Sequence, residues 1–263
     1  MILNIFDKKK YAKLALKNSK KYISATPFPH INLKNFLSKD VANKLYKKFP
    51  LFNDNSFWIN YKNNNTTNKK SIQDERFFPS LFREMFRELN SRQFILFLET
   101  LTNINGLIPD PYFIGGGIHI SEKGGYLKKH VDFNWHHKLQ AHRRVNVLIY
   151  LTPNWKKEYN GDLELSNQNG FASYEPTFNS CIIFNTSANS FHGHPQPLNV
   201  NKNIFRRVLN MYYYTTNRNK NEIYNPTFTS YGKIKKRKIN PKFFKIKASP
   251  WCNNLLKDYK KLK

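Results

Sequence analysis

Hydrophobic and polar positions follow two different rhythms along this chain, and the change between them falls near residue 109. Before it, apolar residues recur at helical spacing. In TPFPHINLKNFLSKDVANKLYKKFP, Val41, Leu45 and Phe49 stand at i, i+4 and i+8. That spacing predicts an amphipathic helix after a short strand, with Ser38 as its N-cap. FPSLFREMFRELNSRQFILFLETLTNING repeats the rhythm with a break at Asn90-Ser91, which predicts two helices. The polar run NDNSFWINYKNNNTTNKK between them is read as loop.

From Pro109 to about Arg218 the rhythm becomes period two, cut by Gly, Pro and Asn. Candidate strands are Tyr112–Ile120, Tyr126–Val131, Arg144–Leu151, Asp162–Leu165, Ser180–Asn185, Ser190–His194 and Phe205–Thr215. Many short alternating strands with turn signals predict a β-sandwich or jelly roll. The chain therefore divides into an N-terminal mixed and helical support region (1–108), a mainly β core (109–218) and a basic C-terminal extension (219–263). The extension interleaves Phe243, Phe244 and Trp251 with lysines, and no internal repeat is present.

Composition adds limits. With 263 residues, 40% hydrophobic and 16% aromatic, the chain can bury a core and is globular rather than disordered. Cys181 and Cys252 are far apart and lack metal-type spacing, so neither a disulfide framework nor a zinc site is indicated. The N-terminus lacks a long apolar h-region, and no apolar run approaches the ~18 residues of a membrane span. The expectation is a soluble, cytoplasmic protein. The formal charge of +27 admits a polyanionic partner such as nucleic acid. The lysines are spread evenly, however, which favours a general compositional bias.

The stretch YLKKHVDFNWHHKLQAHRRVNVLIYLTPNW changes the picture. In a strand, residues i and i+2 share a face, so His130 and Asp132 present an imidazole and a carboxylate side by side. These are two members of a 2-His-1-carboxylate triad, which holds Fe(II) and leaves positions open. His192 and His194, in SFHGHPQPL, offer the third. NIFRRVLNMYYYT supplies a basic residue able to grip a keto acid's far carboxylate. Arg206 shares its face with Val208 and Asn210; Arg207 shares the other with Leu209 and Met211. The smaller, more polar face suits a pocket, which favours Arg206.

The blocks HVDFN…RRVNVLIYLTPNW…NGDLEL…CIIFNTSANSFHGHPQPL…RRVLNMYYYT together resemble the Fe(II)/2-oxoglutarate-dependent dioxygenases, in particular the prolyl 4-hydroxylase-like branch. The likeness runs from about Tyr112 to Thr215, less than half the chain. It implies a double-stranded β-helix (jelly roll), with iron on His130, Asp132 and His192. His192 is preferred to His194 on the resemblance alone. It further implies 2-oxoglutarate anchored by Arg206 and Tyr150, with Asn146 lining the pocket, O2 as cosubstrate, and support by ascorbate. The implied reaction is hydroxylation of an unactivated C–H, foremost in a prolyl residue of a peptide or protein. Other substrates open to this kind of enzyme are nucleic acid and small metabolites, and a non-catalytic basic jelly-roll module is the remaining alternative. His136, His137 and His142 are read as solvated loop residues, His119 as a core histidine near the pocket, and His30 as structural. Asn160 stands where the family's Gly-Gly turn has its first glycine.

Overall fold

The computed structural model describes residues 5–53, 57–223 and 227–231. The basic extension beyond Tyr231, including Phe243, Phe244, Trp251 and Cys252, lies outside them. The element order is α1 (Lys8–Ile23), β1 (His30–Leu33), α2 (Lys39–Lys47), β2 (Ile59–Asn63), β3 (Thr66–Ile72), α3 (Ser80–Leu89), α4 (Arg92–Thr102), β4 (Ile108–Pro109), β5 (Gly117–His130), β6 (Trp135–His136), β7 (Ala141–Tyr150), β8 (Leu163–Asn167), β9 (Gly170–Tyr174), β10 (Cys181–Asn185), β11 (Phe191–His194) and β12 (Arg206–Thr215).

The long strands run antiparallel in the order β1-β10-β7-β12-β5-β11-β8-β9 and curl into a nearly closed, jelly-roll-like barrel. This is the double-stranded β-helix expected from the alternating segment. β5 makes the curl. On one edge its first half pairs with β12 and its last residues with β11, while β3 pairs with both halves along the other edge. The sequence pattern breaks this strand at Ser121–Gly125, whereas the chain continues through a bend in which Gly124 takes φ +75°. Glycine supplies that left-handed conformation without a Cβ clash.

Alternation along β7 and β12 sorts residues onto two faces. Val145, Val147, Ile149, Leu209, Met211 and Tyr213 point outward and bury against Phe82, Met85, Phe86, Phe94 and Leu98 of α3 and α4. Leu148, Tyr150 and Val208 point inward and pack with Leu163, Leu165, Ile182 and Phe184 inside the barrel. The helices thus seal one side of the sheet and leave the other for a site. Ser38 and Ser91 cap α2 and α4 by accepting from Val41 N and Phe94 N.

Three features depart from the sequence pattern. α1 forms although its run is lysine-rich, because Tyr11, Ala15 and Tyr22 make a narrow buried stripe and the Asp7 side chain caps the first turn. The Asn-rich run read as loop is the hairpin β2–β3, whose turn is held by Asn63 Oδ1 accepting from Asn65 N and Thr66 N. Its alternation is invisible to a hydrophobicity pattern because the residues it turns inward are largely polar. His136 and His142 are buried rather than solvated. His136 sits on β6 with its Nε2 3.3 Å from Asp110 Oδ1, and His142 of β7 packs edge-on to Trp135 of β6. No helix among the described residues is long and apolar enough to cross a membrane.

Candidate active site

β11 lies antiparallel beside the end of β5 with His192 directly opposite His130, and Asp132 follows two residues past His130. The three side chains converge. Asp132 Oδ1 is 3.6 Å from His130 Nε2, and Asp132 Oδ2 is 3.2 Å from His192 Nε2. Their ligand atoms all lie within 4.8 Å of one another. Each imidazole is fixed in the same way: His130 Nδ1 donates to Lys128 O at 2.9 Å, and His192 Nδ1 donates to Ser190 O at 3.0 Å. A carbonyl accepts only, so the proton sits on Nδ1 and the Nε2 lone pair faces inward, as metal-binding histidines require. His194, by contrast, falls outside this cluster, with its Nδ1 buried and unpartnered among the described residues.

Asp132 is held from behind. Its Oδ2 accepts from Asn146 Nδ2 at 2.8 Å and forms an ion pair with Arg143 Nη2 at 2.9 Å. Arg143 Nε donates in turn to Asn146 Oδ1 at 3.0 Å, and the guanidinium lies over the Tyr212 and Phe133 rings. Burial works against the carboxylate's charge, but Arg143 and the two imidazoles outweigh it and hold Asp132 well below the usual carboxylate range. Burial and the neighbouring His192 push His130 down, so it stays neutral. Oδ1 is thereby left free beside two imidazole lone pairs. This donor set fits a divalent metal with open positions.

Arg206 projects into the barrel, as the face argument expects. Nε donates to Gly161 O at 2.8 Å and Nη2 to Tyr150 OH at 3.1 Å. The approach is tight: a Cβ on Gly161 would meet Leu198 at 2.5 Å, and Asn160 itself takes φ 60° in this turn. Arg207 points to the opposite face, where its guanidinium lies over the Tyr46, Phe49 and Phe205 rings. Asn146 lines the cavity, but both ends of its amide are committed to Asp132 and Arg143.

The cluster, Arg206 and His119 open on one cavity of about 430 Å³. Thr227, Phe228, Thr229 and Tyr231 line part of it. Ser230 and Val131 exchange both backbone hydrogen bonds at 2.8 Å, and the Tyr231 ring lies 5.5 Å from that of His130. Sequence reasoning missed Arg143 and the hairpin residues Tyr61, Lys69 and Gln73 that line this cavity. Strict alternation from Asn146 puts Arg143 on the outer face. A bulge opposite Tyr213/Tyr214 makes Arg144 the extra residue and turns Arg143 inward.

Residues 116–214 match the family model described as "2OG-Fe(II) oxygenase superfamily". No curated protein matches by sequence. Among solved structures, the fold is similar to a prolyl hydroxylase from Trichoplax adhaerens in complex with a hypoxia inducible factor peptide fragment (TM-score 0.56, 16% identity, 78% of this chain and 91% of that one). It is also similar to a prolyl-4-hydroxylase from Pseudomonas putida (TM-score 0.54, 12% identity, 77% and 99%). A third similar structure is the non-heme alpha ketoglutarate dependent epimerase SnoN from nogalamycin biosynthesis (TM-score 0.53, 7% identity, 79% and 84%). The fold is that of the 2-oxoglutarate oxygenases. The family match spans residues 116–214, less than half of the chain, and the family it names is one of Fe(II)- and 2-oxoglutarate-dependent oxygenases.

Proposed function

We propose that this chain is a 2-oxoglutarate-dependent dioxygenase of the prolyl 4-hydroxylase-like kind, hydroxylating an unactivated C–H, foremost in a prolyl residue of a peptide or protein. The observation that carries the reading is the His130–Asp132–His192 cluster, with both imidazoles pinned through Nδ1 and one carboxylate oxygen left free. In this reading those three residues hold Fe(II), and Arg206 with Tyr150 receives the far carboxylate of 2-oxoglutarate. When bound, the iron and keto acid supply an oxidant from O2, releasing succinate and CO2.

The chain's own residues do the rest. Arg143 and Asn146 fix the Asp132 carboxylate and keep it ionised. Gly161 O and Tyr150 OH aim the Arg206 fork, so it meets a carboxylate without reorganising. Leu148, Val208 and Leu163 give the cavity a dry wall. Tyr212, Phe133 and Tyr231 also line the cavity and add aromatic surface to it. Ascorbate is the reductant this kind of chemistry calls for.

The test is succinate release from 2-oxoglutarate by the full chain with Fe(II), ascorbate and O2, using prolyl peptides as stimulants. Release that depends on Asp132 and rises with a prolyl peptide is expected. Release that persists in Asp132→Ala would overturn the site. Release that prolyl peptides never stimulate would overturn the prolyl substrate.

A further inference from the structure

The hairpin β2–β3 lies outside the family match, and it brings into the cavity one charge that the proposed chemistry leaves unused. Lys69 sits opposite Ser121 of β5, and Ser121 sits opposite Arg206 of β12. Residues paired across antiparallel strands share a face. Lys69, Ser121 and Arg206 therefore form one row across three strands, and all three line the cavity. Lys69 is half-buried, with its ammonium on the cavity wall 5.0 Å from the centroid of the Tyr61 ring. Among the described residues that ammonium has neither an ion-pair partner nor a hydrogen-bond acceptor. Burial first, and then the nearby Arg206, pull its pKa down to about 8, while Asp132 acts in the opposite direction. A half-buried cation that shares a cavity with a second cation is costly unless an anion meets it.

The keto acid does not supply that anion. In the reading above, one of its two carboxylates would bind the metal and the other would bind Arg206. Arg206 is already turned toward β7 and the turn before β8 by its bonds to Tyr150 and Gly161. Lys69 stands two strands away from Arg206, on β3, against Tyr61, whose hydroxyl bonds Ser71 of the same strand and Gln73 just after it. Thr66 and Asn63 extend this polar edge of the cavity.

We propose that Lys69 binds a carboxylate of the prime substrate, so that the substrate is an organic anion. The carboxylate belongs either to a small-molecule acid or to an acidic residue beside the oxidised position of a peptide. This rests on the oxygenase reading above and narrows its substrate.

The experiment uses the full chain loaded with Zn(II), a redox-inert stand-in for iron, and saturating 2-oxoglutarate. The Lys69 side-chain NMR resonance, assigned by its loss in Lys69→Arg, is followed during titration with acetate and with acetamide. Two further arms locate the source: N-acetylproline against its primary amide, and capped Pro-Glu against capped Pro-Gln. A saturable shift with acetate and with one of the two acids is expected, and not with the uncharged partners. Binding about tenfold or more weaker in Lys69→Gln is expected, with 2-oxoglutarate affinity unchanged. Three results would each overturn the proposal: equal responses to acid and amide, no response to any carboxylate, or a loss of 2-oxoglutarate affinity in Lys69→Gln. If Zn(II) or 2-oxoglutarate fails to bind the wild type, the oxygenase reading itself has failed, and that is seen before any acid is added.

Discussion

Asn146 gives one amide hydrogen to Asp132 and receives Arg143 Nε at its carbonyl, so a single side chain links the carboxylate to the buried guanidinium. Outer partners of this kind set ligand orientation, and their loss typically costs about 10–100-fold in metal affinity. Asn146→Leu is expected to weaken metal binding by that factor, read by calorimetric titration with Zn(II); unchanged affinity would remove Asn146 from the site. The two adjacent arginines separate just as cleanly. Arg206→Gln should weaken 2-oxoglutarate binding about tenfold to a hundredfold, by loss of a charge-assisted contact. Arg207→Gln should leave that affinity alone, because its guanidinium lies among Tyr46, Phe49 and Phe205 on the other face. At this scale much was legible. Parity along a strand pairs His130 with Asp132 and separates Arg206 from Arg207. It misplaces Arg143, since a bulge reverses parity and leaves no mark in composition.

At the scale of elements, β5 is the hinge of the design, because it pairs with β3, β12 and β11 in turn. Its first residue, Gly117, takes φ +90°, and a Cβ there would meet Ile72 O at 2.1 Å. Gly117→Ala should therefore force β3 off β5 and cost about 2–4 kcal/mol, from backbone strain together with overpacking. Thermal melting reads this, and a melting temperature equal to that of the wild type would contradict the close approach. The helices α2, α3 and α4 and most core strands follow from apolar spacing, because each buries one face against a common core. The hairpin β2–β3 does not, since it contributes polar groups to a cavity. A pattern that equates inward with hydrophobic therefore reads it as loop. α1 is hidden for a related reason: three buried residues hold it, amid lysines.

Across the whole molecule, burial holds several histidines below their ordinary pKa. Desolvation lowers the pKa of His119 well below its ordinary value, and that of His142 to about 4. The unfolded chain protonates the same residues near about 6.5. Below that pH the unfolded state binds more protons, so stability should fall as pH drops from about 6.5 through His142's folded value. Melting temperature against pH for metal-free protein measures this, and a temperature that rises in that window would contradict it. The +27 charge is carried by lysines spread along the sequence, and the site draws its specific chemistry from a few buried groups instead.

The central claim is that three residues hold a metal and one arginine receives a keto acid beside it. Calorimetric titration of 2-oxoglutarate tests this most directly, under anaerobic conditions with and without Fe(II), on the wild type, Asp132→Ala and Arg206→Gln. Binding that requires Fe(II), disappears in Asp132→Ala and weakens in Arg206→Gln is the predicted result. Binding that is indifferent to Fe(II), or equal in all three proteins, would contradict the account.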